Sequence, residues 1–340
     1  MRVAKYYNNA DVRVEEMPVP EIGPRELLVK VMASGICGSD VMEWYRIKKA
    51  PLVLGHEIAG EIAETGEKVT AYSPGDRVFV SHHVPCGACR YCLAGQETVC
   101  DTLRSTNFDP GGFAEFLRVP EINVGPGVFK IPDNVSFEDG TFIEPLACAL
   151  RGQRAAGVRP GETVLVLGAG ISGMLHVELA KNLGAGLVLA TDLHPFRLEM
   201  ARAHGAMGFD AREDVPARVR EANHGRGADL VIICTSAAPA FAQAMDSVNR
   251  GGRVLWFAPS MPGETFPLDV FSMWKEGFSL IPSYGAAPRD IQASIELLEA
   301  GRLDVHSMIT HRLPLSETAK GFSLVASAGE SMKVIIFPQE

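Results

Sequence analysis

Val164-Leu165-Val166-Leu167-Gly168-Ala169-Gly170-Ile171-Ser172-Gly173 is the stretch that decides the fold of this chain. An apolar run of buried-strand type leads straight into Gly-x-Gly-x-x-Gly, and the pattern from Met174 to Asn182 reads as a helix. Glycines at this spacing are common on their own, so the context carries the reading. A strand precedes them, a helix follows, and Asp192 ends the next apolar strand 19 residues after Gly173. Gly168, Gly170, Ile171, Ser172 and Gly173 then form a tight turn that a pyrophosphate can approach closely, its charge met by the helix N-terminus. Asp192 can accept hydrogen bonds from both hydroxyls of an adenosine ribose and would repel a 2′-phosphate, which predicts NAD over NADP. Arg197 is near enough to flank the adenine, to pair with a carboxylate or to hold a 2′-phosphate. The plainer alternative is that the glycines serve packing alone and Asp192 caps the helix starting near Pro195.

Outward from this motif the chain changes rhythm near residue 148. Beyond it, compact apolar runs at Val164 to Leu167, Leu187 to Thr191, Leu230 to Thr235, Val254 to Ala258 and Phe278 to Ile281 alternate with helical patterns. That alternation predicts an α/β Rossmann domain over 148–286, a doubly wound parallel sheet with helices on both faces. Residues 1–147 instead show short β-type runs at Leu27 to Met32, Ile58 to Ala63, Arg77 to Ser81 and Phe113 to Val119, punctuated by Gly and Pro. They read as a mostly antiparallel, barrel-like domain. The segment 287–340, with a helix at Ile291 to Glu299 and a strand at Lys333 to Phe337, is too short for a third domain and is expected to complete the first.

Composition bounds the partners. The 340 residues carry a formal net charge of −9, which argues against nucleic acid or an anionic membrane as a main partner. No apolar run is long enough to span a membrane, and Met1-Arg2-Val3-Ala4-Lys5 lacks the apolar segment of a secretory leader, so the expected compartment is the cytoplasm. The Asn134-Val135-Ser136 triplet, a glycosylation acceptor by pattern, is then a plain turn.

Four of the seven cysteines, Cys86, Cys89, Cys92 and Cys100, crowd into a Gly-bearing stretch within the lobe 82–101. Soft thiolates at these gaps suit a closed tetrahedral zinc site, structural because no position is left for substrate. A second, open site is suggested by Cys37 after one β run and by His56-Glu57 after another: thiolate, imidazole and carboxylate leave one position for solvent or substrate. A further carboxylate, Glu144, stands just before the nucleotide domain, where packing of sheet on barrel would put it in the cleft. His82 and His83 read as strand-end residues, and Cys148 and Cys234 as small buried ones, because both sites are furnished without them.

Taken together, Gly55-His56-Glu57 with Gly60, Gly75-Asp76-Arg77-Val78, the four-cysteine lobe, Glu144-Pro145 and the glycine motif follow one order, from about Arg13 to Phe337. In that order the chain resembles the zinc-dependent medium-chain dehydrogenases of the alcohol, sorbitol and threonine dehydrogenase superfamily. The resemblance implies a GroES-like β-barrel catalytic domain beside the Rossmann domain, two zinc ions and NAD. It implies that Cys37, His56 and Glu57 or Glu144 bind the catalytic zinc, that Asp40 fixes the tautomer of His56, and that Ser39 passes the alcohol proton. It also implies a homo-oligomer, with a tetramer favoured over a dimer, joined through the nucleotide-domain sheets.

Two departures bear on substrate. Met42 stands where sorbitol and threonine dehydrogenases typically carry a histidine that finishes the proton relay, so the proton is expected to exit through zinc-site water and Glu57 or Glu144 and threonine is disfavoured; Ser283-Tyr284 lacks the arginine found before that tyrosine in sorbitol dehydrogenases. The expected activity is oxidation of a secondary alcohol, diol or polyol. Alternatives are an L-threonine 3-dehydrogenase, a sugar-alcohol-phosphate dehydrogenase and a non-catalytic nucleotide-binding member of the fold, the last disfavoured by the intact ligand set. Trp44, Tyr45, Phe108 and Tyr284 are candidate pocket walls with an equal claim to ordinary core, and Met273, Trp274 and Phe278 are expected at packing or subunit surfaces.

Overall fold

The computed structural model describes all residues from Met1 to Glu340, in two compact units, Met1–Ala147 with Ala286–Glu340 and Cys148–Gly285. The first unit opens with a hairpin of β1 (Arg2–Asn8) and β2 (Asp11–Glu16), continues through β3 (Leu27–Gly35), β4 (Leu52–Val53), β5 (Glu57–Thr65), β6 (Arg77–Val80), β7 (Phe116–Val119) and β8 (Val128–Lys130). The second unit holds β9 (Thr163–Leu167), β10 (Leu187–Asp192), β11 (Met207–Asp210), β12 (Ala228–Ile233), β13 (Val248–Trp256) and β14 (Ser279–Pro282), and the chain then returns to the first with β15 (Ile309–Pro314) and β16 (Lys333–Phe337).

In the first unit a sheet runs β15-β16-β3-β5-β6-β8, with β7 also paired to β3, beside a small sheet β2-β1-β4. The central strand β3 is covered on both faces along most of its length, as a barrel filled by side chains requires. Leu27, Val29 and Val31 pack there with Ile58, Val78 and Leu117. β16 lies antiparallel to β3 and parallel to β15, so the last segment of the chain closes this sheet. Phe113 and Ala114 leave the expected strand. Gly112 N–H donates to the Gly55 carbonyl and Phe113 N–H to that of Leu54, which ties this stretch to the loop before His56 instead of to β3.

The second unit is a six-stranded sheet in the order β11-β10-β9-β12-β13-β14, parallel throughout. Its β9 is buried at every residue and reads as a continuous apolar run, as a strand with both faces covered must. Leu165, Leu167, Val231 and Val254 form its core with Phe241 and Val219. The helix Ile171–Asn182 starts directly after Gly170, a turn earlier than the apolar pattern indicates. A side chain at Gly173 would run into the Gly168 carbonyl, which is why the third glycine is needed. The expected break at residue 148 falls inside one helix, Ile143–Ala156, with Glu144 and Pro145 in its first turn, where a missing amide costs no helical bond.

Candidate active site

Cys37 sits just beyond the end of β3, in a turn closed by the Asp40 N–H donating to the Cys37 carbonyl. The turn is held from inside: Asp40 Oδ2 accepts from the Cys37 N–H at 3.1 Å, and the Cys37 sulfur accepts from the Ser39 N–H at 3.4 Å. His56 and Glu57 come from the start of β5, antiparallel to β3 with Gly35 opposite Glu57. That register brings one ligand atom each from Cys37, His56 and Glu57 to within 4.8 Å of one another, with His56 and Glu57 buried. Glu144 lies outside this group.

Behind the group, the buried Asp40 carboxylate faces His56 Nδ1 at 3.4 Å and Arg46 Nη2 at 3.6 Å. Burial alone would strip His56 of its charge, but Asp40 and Cys37 outweigh it and hold the imidazole pKa well above its ordinary 6.5. Asp40 is likewise penalised by burial, yet His56, Arg46 and the Cys37 amide keep its pKa below the usual value. Burial and then the Glu57 charge raise the Cys37 thiol. A thiol, an imidazole and a carboxylate brought this close suit a cation, and the mixed set suits zinc.

The sequence motifs did not include Lys333. Its ammonium, with a side chain only 1% exposed, forms a buried ion pair with Glu57 Oε2 across 276 residues of sequence and lies 5.1 Å from the centre of the Phe142 ring. Gly35 makes room for it, since a side chain there would collide with both the Glu57 carboxylate and the Lys333 ammonium. A lone lysine opening the apolar run Lys333-Val334-Ile335-Ile336-Phe337 was the signal available in the sequence.

His82 and His83 follow the end of β6, and they sit nearer the site than a plain strand end implies. The ring of His82 is 4.8 Å from that of His56 and 3.8 Å from that of His83. Burial, then the neighbouring histidines and Arg46, keeps His82 well below its ordinary pKa, and burial with His56 pushes His83 down to about 4, so both are neutral. Among the aromatic candidates Phe108 is core at 3% exposed, whereas Tyr45 and Tyr284 are exposed. Cys148 and Cys234, expected to be buried, are both only partly so, though burial of its thiol still pushes the Cys234 pKa up.

In the four-cysteine lobe every sulfur lies within 4.8 Å of the others, with Cys89 and Cys92 at 3.5 Å and Cys86 and Cys92 at 4.0 Å. These spacings match the edge of a tetrahedron of sulfurs about 2.3 Å from a zinc ion. No cysteine of the chain is in a disulfide. Backbone amides lower two of the thiols: the Cys86 N–H faces Cys100 and draws its pKa down to about 6, and the amides of Ala88 and Cys89 lower that of Cys86, whereas burial and the neighbouring Cys89 push Cys92 up to about 12. Arg289 pins the lobe from outside, donating to the Gly95 carbonyl at 2.8 Å and pairing with Glu97.

At the dinucleotide turn, Asp192 ends β10 and is nearly buried. Its Oδ2 accepts from the Ala169 N–H at 2.9 Å and its Oδ1 from the His194 N–H at 3.0 Å, so it first braces the glycine turn. Each oxygen keeps a further lone pair for a ribose hydroxyl. Arg197 Nη1 approaches Asp192 Oδ2 at 3.8 Å and lies beside Gly170. Ile171, Ser172 and Gly173 occupy the first helical turn, whose amides have no acceptor within the helix.

Comparison with known proteins agrees with this arrangement. Residues 23–133 match the family of the alcohol dehydrogenase GroES-like domain, and residues 172–300 that of the zinc-binding dehydrogenases. The chain is 35% identical over 335 residues to an L-threonine 3-dehydrogenase of Rhizobium etli (strain CIAT 652), covering 95% of this chain and 94% of the relative. It is 32% identical to a sorbitol dehydrogenase of Bacillus subtilis (strain 168), covering 99% and 97%. Among solved structures, a zinc-binding dehydrogenase of Sinorhizobium meliloti 1021 bound to NADP superposes with a TM-score of 0.88 at 29% identity, covering 99% of each chain. The chain belongs to the zinc-dependent medium-chain dehydrogenases, and it is an alcohol-type oxidoreductase that uses zinc and a nicotinamide dinucleotide.

Proposed function

We propose that this enzyme oxidises a secondary alcohol, diol or polyol to the ketone with NAD, at a site built on Cys37, His56 and Glu57. The observation that carries the reading is the close grouping of these three donors over the buried Asp40 carboxylate. Zinc held by these residues would supply Lewis acidity to the alcohol oxygen, and a bound dinucleotide would supply the hydride acceptor. The work of the chain is to bind, orient and move one proton. Asp40 keeps Nδ1 of His56 occupied and so directs Nε2 to the metal. Ser39 takes the alcohol proton at Oγ while releasing its own toward the dinucleotide ribose. Lys333 holds one oxygen of Glu57 and leaves the other to join Cys37 and His56, with Glu144 as the alternative carboxylate. Cys86, Cys89, Cys92 and Cys100 hold the structural zinc and take no part in the chemistry.

Gly168, Gly170, Ile171, Ser172 and Gly173 bind the pyrophosphate, and Asp192 binds the adenosine ribose, which favours NAD; Arg197 sits against Asp192 and serves as its partner beside the adenine. The Rhizobium relative supports threonine as the second reading, and Met42 in place of a relay histidine weighs against it. A homo-oligomer, a tetramer before a dimer, is supported by large apolar side chains exposed on the nucleotide-binding unit. No helix is long and apolar enough to cross a membrane, and the lack of disulfides supports a cytoplasmic setting.

The test is zinc content per chain together with NAD and NADP reduction across secondary alcohols, diols, polyols, sugar-alcohol phosphates and threonine. The reading expects one zinc in each site, NAD ahead of NADP, and turnover of a secondary alcohol or polyol ahead of threonine. Zinc in the four-cysteine site alone, or threonine as the best substrate, would defeat it.

A further inference from the structure

Arg46 ends a short helix, Glu43–Arg46, and its side chain turns back onto the Cys37–Asp40 turn. Its Nε donates to the Ser39 carbonyl at 2.9 Å and its Nη2 to Ser39 Oγ at 3.0 Å, while the same Nη2 lies 3.6 Å from Asp40 Oδ1. The side chain is only 15% exposed. One planar group therefore grips the backbone and the hydroxyl of Ser39 together, beside the acid that faces His56.

We propose that Arg46 is a positioning residue for Ser39, holding its hydroxyl in a chain where Met42 cannot carry a proton onward. Arginine has five donors and no acceptor, so its bond fills one lone pair of Ser39 Oγ and cannot receive the serine proton. The second lone pair is left to accept the alcohol proton as the serine hydroxyl proton leaves toward the dinucleotide, and Ser39 ends each transfer with the proton count it began with. The two bonds also fix the side-chain rotamer, which a single flexible contact would not. A lysine carries the same charge but lacks the fork needed to reach the carbonyl and Oγ at once. The competing account makes Arg46 a mere counter-ion of buried Asp40, and there lysine would serve equally well.

The inference rests on the proposed role of Ser39, and four variants separate the two: Ser39→Ala, Arg46→Met, Arg46→Lys and the double variant Ser39→Ala/Arg46→Met. They are compared as zinc-loaded full-length enzyme, with NAD and the best alcohol of the panel, by zinc content, melting profile, kcat and KM. Both Arg46 variants are expected to keep the native zinc content. Their kcat should fall about 10- to 100-fold, the scale set by outer residues that orient a metal-site group, while KM stays nearly constant. The double variant should be no slower than Ser39→Ala alone, since both changes remove one unit. Native kcat in Arg46→Lys, loss of zinc from either Arg46 variant, or fully additive losses in the double variant would overturn the proposal. If Arg46→Met does not fold, Arg46→Lys with the Ser39→Ala comparison still decides it. Native kcat in Ser39→Ala would instead remove the proton role of Ser39 and the inference with it.

Discussion

Lys333 and Glu57 are the charges whose burial most needs explaining, because their side chains are 1% and 2% exposed. Removing two ions from water is costly, and deleting one partner leaves the other unpaired where no solvent reaches it. Lys333→Met should therefore lower unfolding free energy by about 3 kcal/mol or more. Adding Glu57→Gln should recover much of that loss, because neither charge of the pair then remains. Denaturant midpoints of the two variants check this, and a double variant as unstable as Lys333→Met would mean that the packing of the lysine stem matters and the charge does not. Cys37 and His56-Glu57 were legible as candidate ligands only in combination with the four-cysteine lobe and the nucleotide motif. Lys333 was not, since an ion pair across 276 residues leaves no trace in local spacing.

Within the helix Ile171–Asn182, His176 shows how an element built for packing acquires a pH response. The side chain is fully buried, Gln153 Nε2 lies 3.1 Å from its Nδ1, and the Phe257 ring meets it edge-on with centres 4.5 Å apart. Burial lowers its pKa from 6.5 to about 3. The unfolded chain binds this proton near 6.5 and the folded chain only near 3, so the unfolded state holds more protons between those values. Stability from this group is thus complete above 6.5 and is lost as the pH falls toward 3, with a slope of up to about 1.4 kcal/mol per pH unit. His176→Gln should flatten the acid limb of stability against pH relative to the native protein, whatever the metal sites add to both curves. Parallel limbs in urea titrations across that range would show that His176 does not titrate on unfolding. The existence of this helix followed from its pattern; its start at Ile171 did not, because the glycine turn sets it.

At the scale of the molecule, the nucleotide-binding unit ends its sheet on β14 and exposes Val270, Phe271 and Trp274, the last at 77%. Large apolar side chains next to an outer strand are the usual mark of a surface covered by another chain. Trp274→Glu should shift the enzyme to smaller species in sedimentation velocity without changing its circular dichroism. An unchanged sedimentation coefficient would mean that no other chain covers this surface. The alternation of apolar runs and helices made the parallel sheet readable, whereas the opening hairpin of β1 and β2 and the returning strand β15 escaped, being short and weakly patterned.

What the sequence determined by itself was the chemistry available: four clustered thiols, a nucleotide turn with an acid at the next strand end, and a thiolate, imidazole and carboxylate set. The first two are local, because a metal lobe or a glycine turn is made by neighbours in the chain; for the third the sequence supplied only the residue types. What only the tertiary structure decided was how those groups are held. The register of β3 against β5 joins Cys37 to His56 and Glu57, the return of β16 sets Lys333 on Glu57, and the fold of a short helix brings Arg46 onto Ser39 and Asp40. Such contacts depend on which strands meet and in what register, and burial then makes each charge answer to the partners packed against it.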